Sequence, residues 1–311
     1  MTPRRTEHAY PIPTRLNLAI IAAQLLALAG IFFATAHAAA TWQLLLLACA
    51  MAVVGNSVYS IIHEAEHRML HPRQEINDAL GIVMALLFPA PYHLLRQGHL
   101  CHHRANRSDD EAFDLYFDGD RPVVKWLKFY SIITGVYWWA VVAVNFLVLL
   151  FPFLLKRRYY EFDNHLAKFV EVLDPRYTRM IQAEALAAIA LHALIVLGLQ
   201  IPLMSYAIVY FGFGFTWSAM QYVHHFGAER DVLAGARNLW VLAPLDAAWL
   251  HHNWHLTHHK QPTIPWVYLP SLGRTQDPRR EFLPWHYLRM WRGPRHTDEH
   301  VHGAFEGPVS K

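Results

Sequence analysis

Two long apolar runs near the start of the chain constrain its fold more than any other feature. The first goes from Leu16 to about Thr35, broken only by Asn17 and Gln24, and the second from Leu44 to Ile62. Each is close to the roughly 20 residues that a helix needs to cross a bilayer. Inside a bilayer the backbone must satisfy its own polar groups, so runs of this kind become helices. The linker between them, Ala36 to Gln43, carries no Lys or Arg, as expected of a loop on the outer side with both flanks in the cytoplasm. Ala36-His37-Ala38 resembles a signal-peptidase site, but the length of the run and the span that follows favour an uncleaved anchor.

A second pair, Ala183 to Gln200 and Leu203 to Val223, turns at Pro202 through an uncharged linker. It returns the chain to the side from which it left. Composition agrees: 54% of residues are hydrophobic and 16% charged, where soluble domains carry about a quarter charged. Ala79 to Ala90 is apolar but too short to span and ends at Pro89 and Pro91, which suits a re-entrant or interfacial helix. Ser131 to Leu155 is long enough to cross. Lys125 and Lys128 precede it, however, and Lys156, Arg157 and Arg158 follow it. Both ends therefore prefer the same face, and the sequence predicts a kinked element that enters the membrane and returns. From Glu229 onward, mixed polarity with many Pro and Trp reads as a cytoplasmic cap, with Trp240, Trp249, Trp266 and Trp285 as interfacial aromatics.

The expected architecture is thus an all-α integral membrane fold. About four transmembrane helices form two hairpins, joined by re-entrant or interfacial helices and a cytoplasmic helical cap. One domain covers 1–311, with an N-terminal stretch 1–15, a core and cap 16–270, and a basic tail 271–311. The net charge of +3 is too small to suggest nucleic acid. Its distribution says more: Arg4, Arg5 and Arg15 precede the first run, and Arg274, Arg279, Arg280, Arg289, Arg292 and Arg295 crowd the tail. Such residues favour the cytoplasmic face and anionic headgroups; a solvated basic tail is the plainer alternative. Cys49 lies in an apolar run and Cys101 between two histidines. With no CxxC there is no disulfide framework, which fits a reducing compartment.

The chain holds 22 histidines, and most are clustered. Just past the second run comes His63-Glu64-Ala65-Glu66-His67. On a helix, i and i+4 share a face, so both imidazoles can point at one metal. His99-Leu100-Cys101-His102-His103 and His255-Leu256-Thr257-His258-His259 repeat one spacing, with i, i+3 and i+4 on one face. The predicted topology puts all three clusters on one side. Imidazole suits iron, zinc, copper or nickel, and this many ligands overfill one site, which argues for two metals.

HxxxH, HxxHH and HxxHH in this order resemble the three histidine boxes of membrane fatty acid desaturases and of related alkane and carotenoid oxygenases. The resemblance runs from about Leu16 to Pro270 and includes Pro262, Pro265 and Trp266 after the third box. It implies a non-haem di-iron oxidoreductase with two iron ions near the cytoplasmic face, dioxygen as co-substrate and a tunnel for an acyl chain. Gln221-Tyr222-Val223-His224-His225-Phe226-Gly227 also looks like the family's motif at the end of the fourth span, where a histidine ligates iron. A residue four positions earlier, often Asn, reaches the site through water; Gln221 stands there in this chain. The implied ligands are His63, His67, His99, His102, His103, His225, His255, His258 and His259. The implied reaction is oxygen-dependent oxidation of an unactivated C–H bond in a fatty acyl chain. Desaturation is the first reading; the alternatives are hydroxylation and oxidative decarboxylation of a free fatty acid to a terminal alkene.

Two readings of other classes compete. His63 to His67 is a literal HExxH, the zinc-peptidase motif with Glu64 as general base, but a zinc protease would leave both HxxHH clusters unexplained. A metal transporter needs ionisable residues within the spans, where Glu184 and His192 form too sparse a route. His93, His192, His224, His251 and His252 read as packed or hydrogen-bonded, with His251 and His252 able to support the site. His37, His71, His165, His286 and the tail histidines read as surface residues. Asp109, Asp110, Glu111 and Asp114, or Glu64 and Glu66, could orient ligand imidazoles; a solvated acidic loop is the alternative. Gly212 and Gly214 read as helix-packing positions and Trp217 as a candidate tunnel wall. The chain has no dinucleotide-binding fingerprint, no HPGG of a fused cytochrome b5 and no iron–sulfur cysteine set. Electrons must then come from a ferredoxin, rubredoxin or cytochrome with its reductase, and the basic tail would help an acidic partner to dock.

Overall fold

The computed structural model describes residues 10–301 and 305–310; Arg4, Arg5 and His302 lie outside the described residues. The helices are α1 (Thr14–His37), α2 (Thr41–Glu66), α3 (Gln74–Leu87), α4 (Tyr92–Ala105), α5 (Pro122–Ile133), α6 (Val136–Leu150) and α7 (Asn164–Glu171). They continue with α8 (Thr178–Gly198), α9 (Leu203–Val223), α10 (Ala243–Ala248), α11 (His255–Lys260), α12 (Leu269–Gln276) and α13 (Leu283–Met290). Two short parallel pairs join distant segments: β1 (Leu115–Tyr116) with β4 (Arg295–His296), and β2 (Asn238–Trp240) with β3 (Arg280–Phe282).

α1, α2, α8 with its preceding turn, and α9 are each long and apolar enough to cross a membrane. Leu26 and Leu197 stay 75% and 74% exposed, so these helices keep large apolar faces of the kind that lipid covers. Both intermediate segments are bent, the second as its sequence predicts. α3 and α4 meet at 101°, across the prolines 89 and 91, and α5 and α6 at 91°. The second bend rests on Gly135, whose φ of +85° suits a residue without Cβ. A Cβ there would also sit 2.9 Å from the Cα of Phe215.

The end of α3 leaves carbonyls without helical partners amid apolar surroundings. Three other helices supply donors: His192 Nε2 is 2.8 Å from Leu86 O, Tyr210 donates to Leu87 O at 2.6 Å, and Asn145 to Pro89 O at 2.7 Å. His192, considered above as part of a transport route, is therefore a hydrogen-bonded residue of this turn. The polar breaks in the first span are paired as well. Asn17 donates to Leu70 O at 2.9 Å, and Gln24 to Ser57 Oγ at 2.8 Å.

α2 and α9 form the central contact, and glycine allows their close approach. A Cβ on Gly212 would lie 2.3 Å from the backbone oxygen of Ala48, and one on Gly214 would meet the Trp138 ring at 2.4 Å. Gly212→Val should therefore destabilise the fold by about 1–3 kcal/mol or more, because backbone cannot step aside. Gly198→Ala, with nothing within 4 Å of the new Cβ, is the control. Thermal unfolding in detergent should show a lowered midpoint for Gly212→Val and none for Gly198→Ala.

Two surface expectations need correction. Trp249 and Trp266 are each only 7% exposed, whereas Trp240 and Trp285 are open at 40% and 58%. The buried pair have partners inside the protein: Trp249 Nε1 donates to Val53 O at 3.2 Å and Trp266 Nε1 to Asn17 Oδ1 at 3.0 Å. His286 is buried too, at 3%, because α13 packs one face onto α9 and sets its ring 3.2 Å from Phe226 O.

Candidate metal centre

His63 lies in the last turn of α2 and His67 is its C-cap. The helix stops there because Arg68 turns to a φ of +62°. Arg68 N then reaches Ala65 O at 2.9 Å and Met69 N reaches Glu64 O at 2.8 Å, the bond pair that closes a helix end. α4 carries His99, His102 and His103. Its start is tied to α8 by Glu184, whose carboxylate lies 3.1 Å from His93 N and 2.6 Å from His93 Nδ1. His224 and His225 follow the end of α9, and α11 supplies His255, His258 and His259.

These elements converge. His63, His67, His99, His103 and His258 form one group of imidazoles, and His102, His225, His255 and His259 a second. Within each group the ligand atoms lie within 4.8 Å of one another. The five-histidine group has Nε2–Nε2 separations of 2.8 Å (His67–His99), 3.1 Å (His103–His99) and 3.1 Å (His258–His103). In the four-histidine group, His255 Nε2 is 3.1 Å from the Nε2 atoms of both His225 and His259. Adjacent imidazoles on one cation, at bond lengths of roughly 2.1 Å, stand about 3 Å apart. The spacing fits a metal ion in each group, and His63 Nε2 is buried without a hydrogen-bond partner.

The protonation states agree. Burial, reinforced by neighbouring imidazoles, holds His225, His255, His258 and His259 well below the ordinary imidazole value. Burial lowers His67 to about 4. Neutral imidazole is the form that binds a metal. Several outer nitrogens meet acceptors of the kind that fix a ligand's tautomer. His225 Nδ1 is 2.9 Å from Gly235 O, His102 Nδ1 is 3.3 Å from Glu111, and His67 Nδ1 contacts Val309 O. Burial opposes ionisation of Glu111, but His165, 3.1 Å away, and His102 outweigh it and bring its pKa below the usual value.

A fatty acid desaturase family model matches residues 40–294. The chain belongs to the fatty acid desaturase family. No curated protein matches it. Membership in the desaturase family makes the chain an oxidoreductase class member and points to oxidation of fatty acyl chains.

Around the two histidine groups, the remaining candidates separate. Glu64 and Glu66 stand 4.0 Å from the Nδ1 atoms of His63 and His99. Asp109 faces away, to Arg230, His300 and the backbone of Val301. Asp110 makes no hydrogen bond or ion pair to any of the nine histidines among the described residues. Asp114 belongs to a buried knot with Arg107 and Tyr222. His252 lies between the groups, its ring centre 5.0 Å from those of both His63 and His255. His224 could join His252 and His255 around a cation, but His255 turns its Nε2 to the four-histidine group and His224 faces Asn253 at 3.3 Å.

Two water-sized cavities adjoin the centre and share Ser60 and His252. One is lined by His63, Glu64, Leu250, His258 and Leu269, the other by Asn56, Tyr59, Met220, Gln221 and Trp249. Trp217, a candidate tunnel wall, packs among Tyr59, Phe88, Tyr137 and Trp138, one turn before Gln221. Asn56 and Ser60 escaped the sequence reading although a signal existed: with His63 and His67 they fall at i, i+4, i+7 and i+11, one helical face.

His251 meets Asp246 at 3.0 Å, and Asp246 also accepts from Asn253 at 3.1 Å. Burial raises the Asp246 pKa, but His251, Asn253 and Arg280 together bring it below its ordinary 3.8. Its folded value is depressed, so its contribution is complete above about pH 4 and lost as the pH falls through the lowered value. Asp246→Asn should therefore lower the thermal midpoint at pH 7, and the gap to wild type should narrow steadily below pH 4.

Proposed function

We propose that this chain is a di-iron membrane enzyme that desaturates fatty acyl chains with dioxygen. Its nine ligands are His63, His67, His99, His102, His103, His225, His255, His258 and His259. The observation that carries the reading is the grouping of all nine into a five and a four, with Nε2 atoms at cis-ligand spacing, at the ends of apolar helices. Family membership supports the substrate class. Bound iron would supply reduction of dioxygen and the power to remove hydrogen from an unactivated carbon.

The protein's own residues supply position and dryness. Glu111 and the carbonyl of Gly235 hold His102 and His225 in the tautomer that presents Nε2. Gln221, Asn56 and Ser60 line the cavity beside the centre and can hold water there through hydrogen bonds. Both cavities admit only water-sized molecules, so an acyl chain that entered by the one beside Gln221 would part the aromatic side chains around Tyr59 and Trp217. Arg274, Arg279, Arg292 and Arg295 are exposed and suit an acidic electron donor; Arg280 and Arg289 are taken by Asp246 and Glu281. In this reading the centre faces the cytoplasm.

The test is purification with iron, a reductase–ferredoxin system and isotopically labelled acyl chains, with products identified by mass spectrometry. An internal double bond with retention of all carbons is expected. An alcohol without alkene, or a terminal alkene one carbon shorter, would overturn desaturation in favour of hydroxylation or decarboxylation.

A further inference from the structure

The chain crosses back over the five-histidine group in a segment far from it in sequence. Phe305 N donates to Arg104 O at 3.0 Å, immediately after His103. Val309 is 2% exposed and its carbonyl accepts from His67 Nδ1. Ser310 Oγ lies 3.3 Å from Arg96 Nη2, and the same Arg96 donates through Nε to Glu66 O at 3.0 Å, next to His67. Residues 305–310 therefore run antiparallel to α4, from Arg104 back to Arg96. The eight helical steps between Arg104 and Arg96 cover about 12 Å, a distance that six extended residues can reach.

One end of this strap is anchored on Arg104, next to His103, and the other on Arg96, which holds the backbone of Glu66 beside His67. Val309, next to the second anchor, meets a ligand itself. A histidine can present Nε2 to a metal only when Nδ1 carries the proton, and an acceptor at Nδ1 favours that tautomer and fixes the ring plane. His99 and His63 have carboxylates only at 4.0 Å. His67 has a backbone carbonyl from 242 positions away.

We infer that the 305–310 strap is a positioning element of the five-histidine site, with the Val309 carbonyl setting the tautomer and orientation of His67. The inference rests on the di-metal reading above. Loss of an outer partner of a ligand typically lowers metal affinity by roughly 10–100-fold, and the loss falls on one site of the two, because no residue of the strap touches the four-histidine group among the described contacts.

The experiment is titration of metal-free protein with Co(II), followed by its visible absorption, for the full chain and for a variant lacking Phe305–Lys311. Two bound ions are expected in the full chain. The shortened variant should bind one ion with unchanged affinity and the other about 10–100-fold more weakly. A synthetic peptide of residues 305–311 added in trans should restore the weakened site, which a misfolded variant would not allow. In a His67→Ala background, removal of the strap should have no further effect on affinity. Unchanged affinity at both sites, equal weakening of both, or failure of the peptide to restore binding would each overturn the strap's role. A full chain that binds no ion at these histidines would instead remove the di-metal reading, and this inference with it.

Discussion

His258→Ala and His102→Ala should each reduce the bound metal from two ions per chain to one and leave less than about one hundredth of wild-type activity. Each change removes a ligand outright, a larger loss than that of an outer partner, which typically reaches roughly 10–100-fold. The two variants report on different sites. His258 belongs to the five-histidine group, its Nε2 3.1 Å from that of His103. His102 belongs to the four-histidine group, which falls to three ligands and should lose its ion more completely. His71→Ala, on the exposed turn after α2, should keep both ions. Elemental analysis beside product formation makes the comparison. Two ions and full activity in both ligand variants would show that the nine histidines do not form the centre proposed here.

The second large effect is expected at a residue that touches no ligand. Asp114→Ala should destabilise the protein by about 3–5 kcal/mol, because it strands a buried guanidinium. Arg107 is 1% exposed and Asp114 4%. Their ion pair is joined by Tyr222, which donates to Asp114 at 2.6 Å, and by Gly227 N at 2.8 Å. Arg107 also donates to Ala228 O at 3.1 Å. The knot ties the loop after α4 to the end of α9, so it sets His102 and His103 against His225. A lowered thermal midpoint should therefore come with loss of metal from the four-histidine group. A midpoint within a degree or two of wild type would mean that the pair contributes little. Asp114→Asn, which keeps an acceptor for Tyr222 but loses the charge, should fall between.

Much of the fold can be read along the chain. The four helices long and apolar enough to span follow from run length, the break at prolines 89 and 91 from proline chemistry, and a bent element within 131–155 from basic residues at both of its ends. What the chain conceals are contacts across long separations. The acids after α4 look alike in sequence, yet Glu111 meets His102 while Asp109 turns to Arg230 and His300. His165 reads as a surface residue and becomes the second partner of Glu111. Trp249 and Trp266 read as interfacial and are buried, because acceptors from α2 and α1 meet their indole nitrogens.

The histidine spacing, by itself, determines which imidazoles share a face, because helical geometry repeats every 3.6 residues whatever surrounds it. It therefore marks eight of the nine candidate ligands in three clusters, and the family resemblance adds His225. How those clusters divide is decided only by tertiary structure. The second cluster splits, with His99 and His103 going to one group and His102 to the other, and the third splits in the same way. Both divisions depend on how α4 and α11 cross the end of α2. On the α4 side that crossing is held by the Glu184 tether to His93 and by the Arg107 bonds to Tyr222 and Ala228, contacts between residues far apart in the chain. Local periodicity carries no information about them.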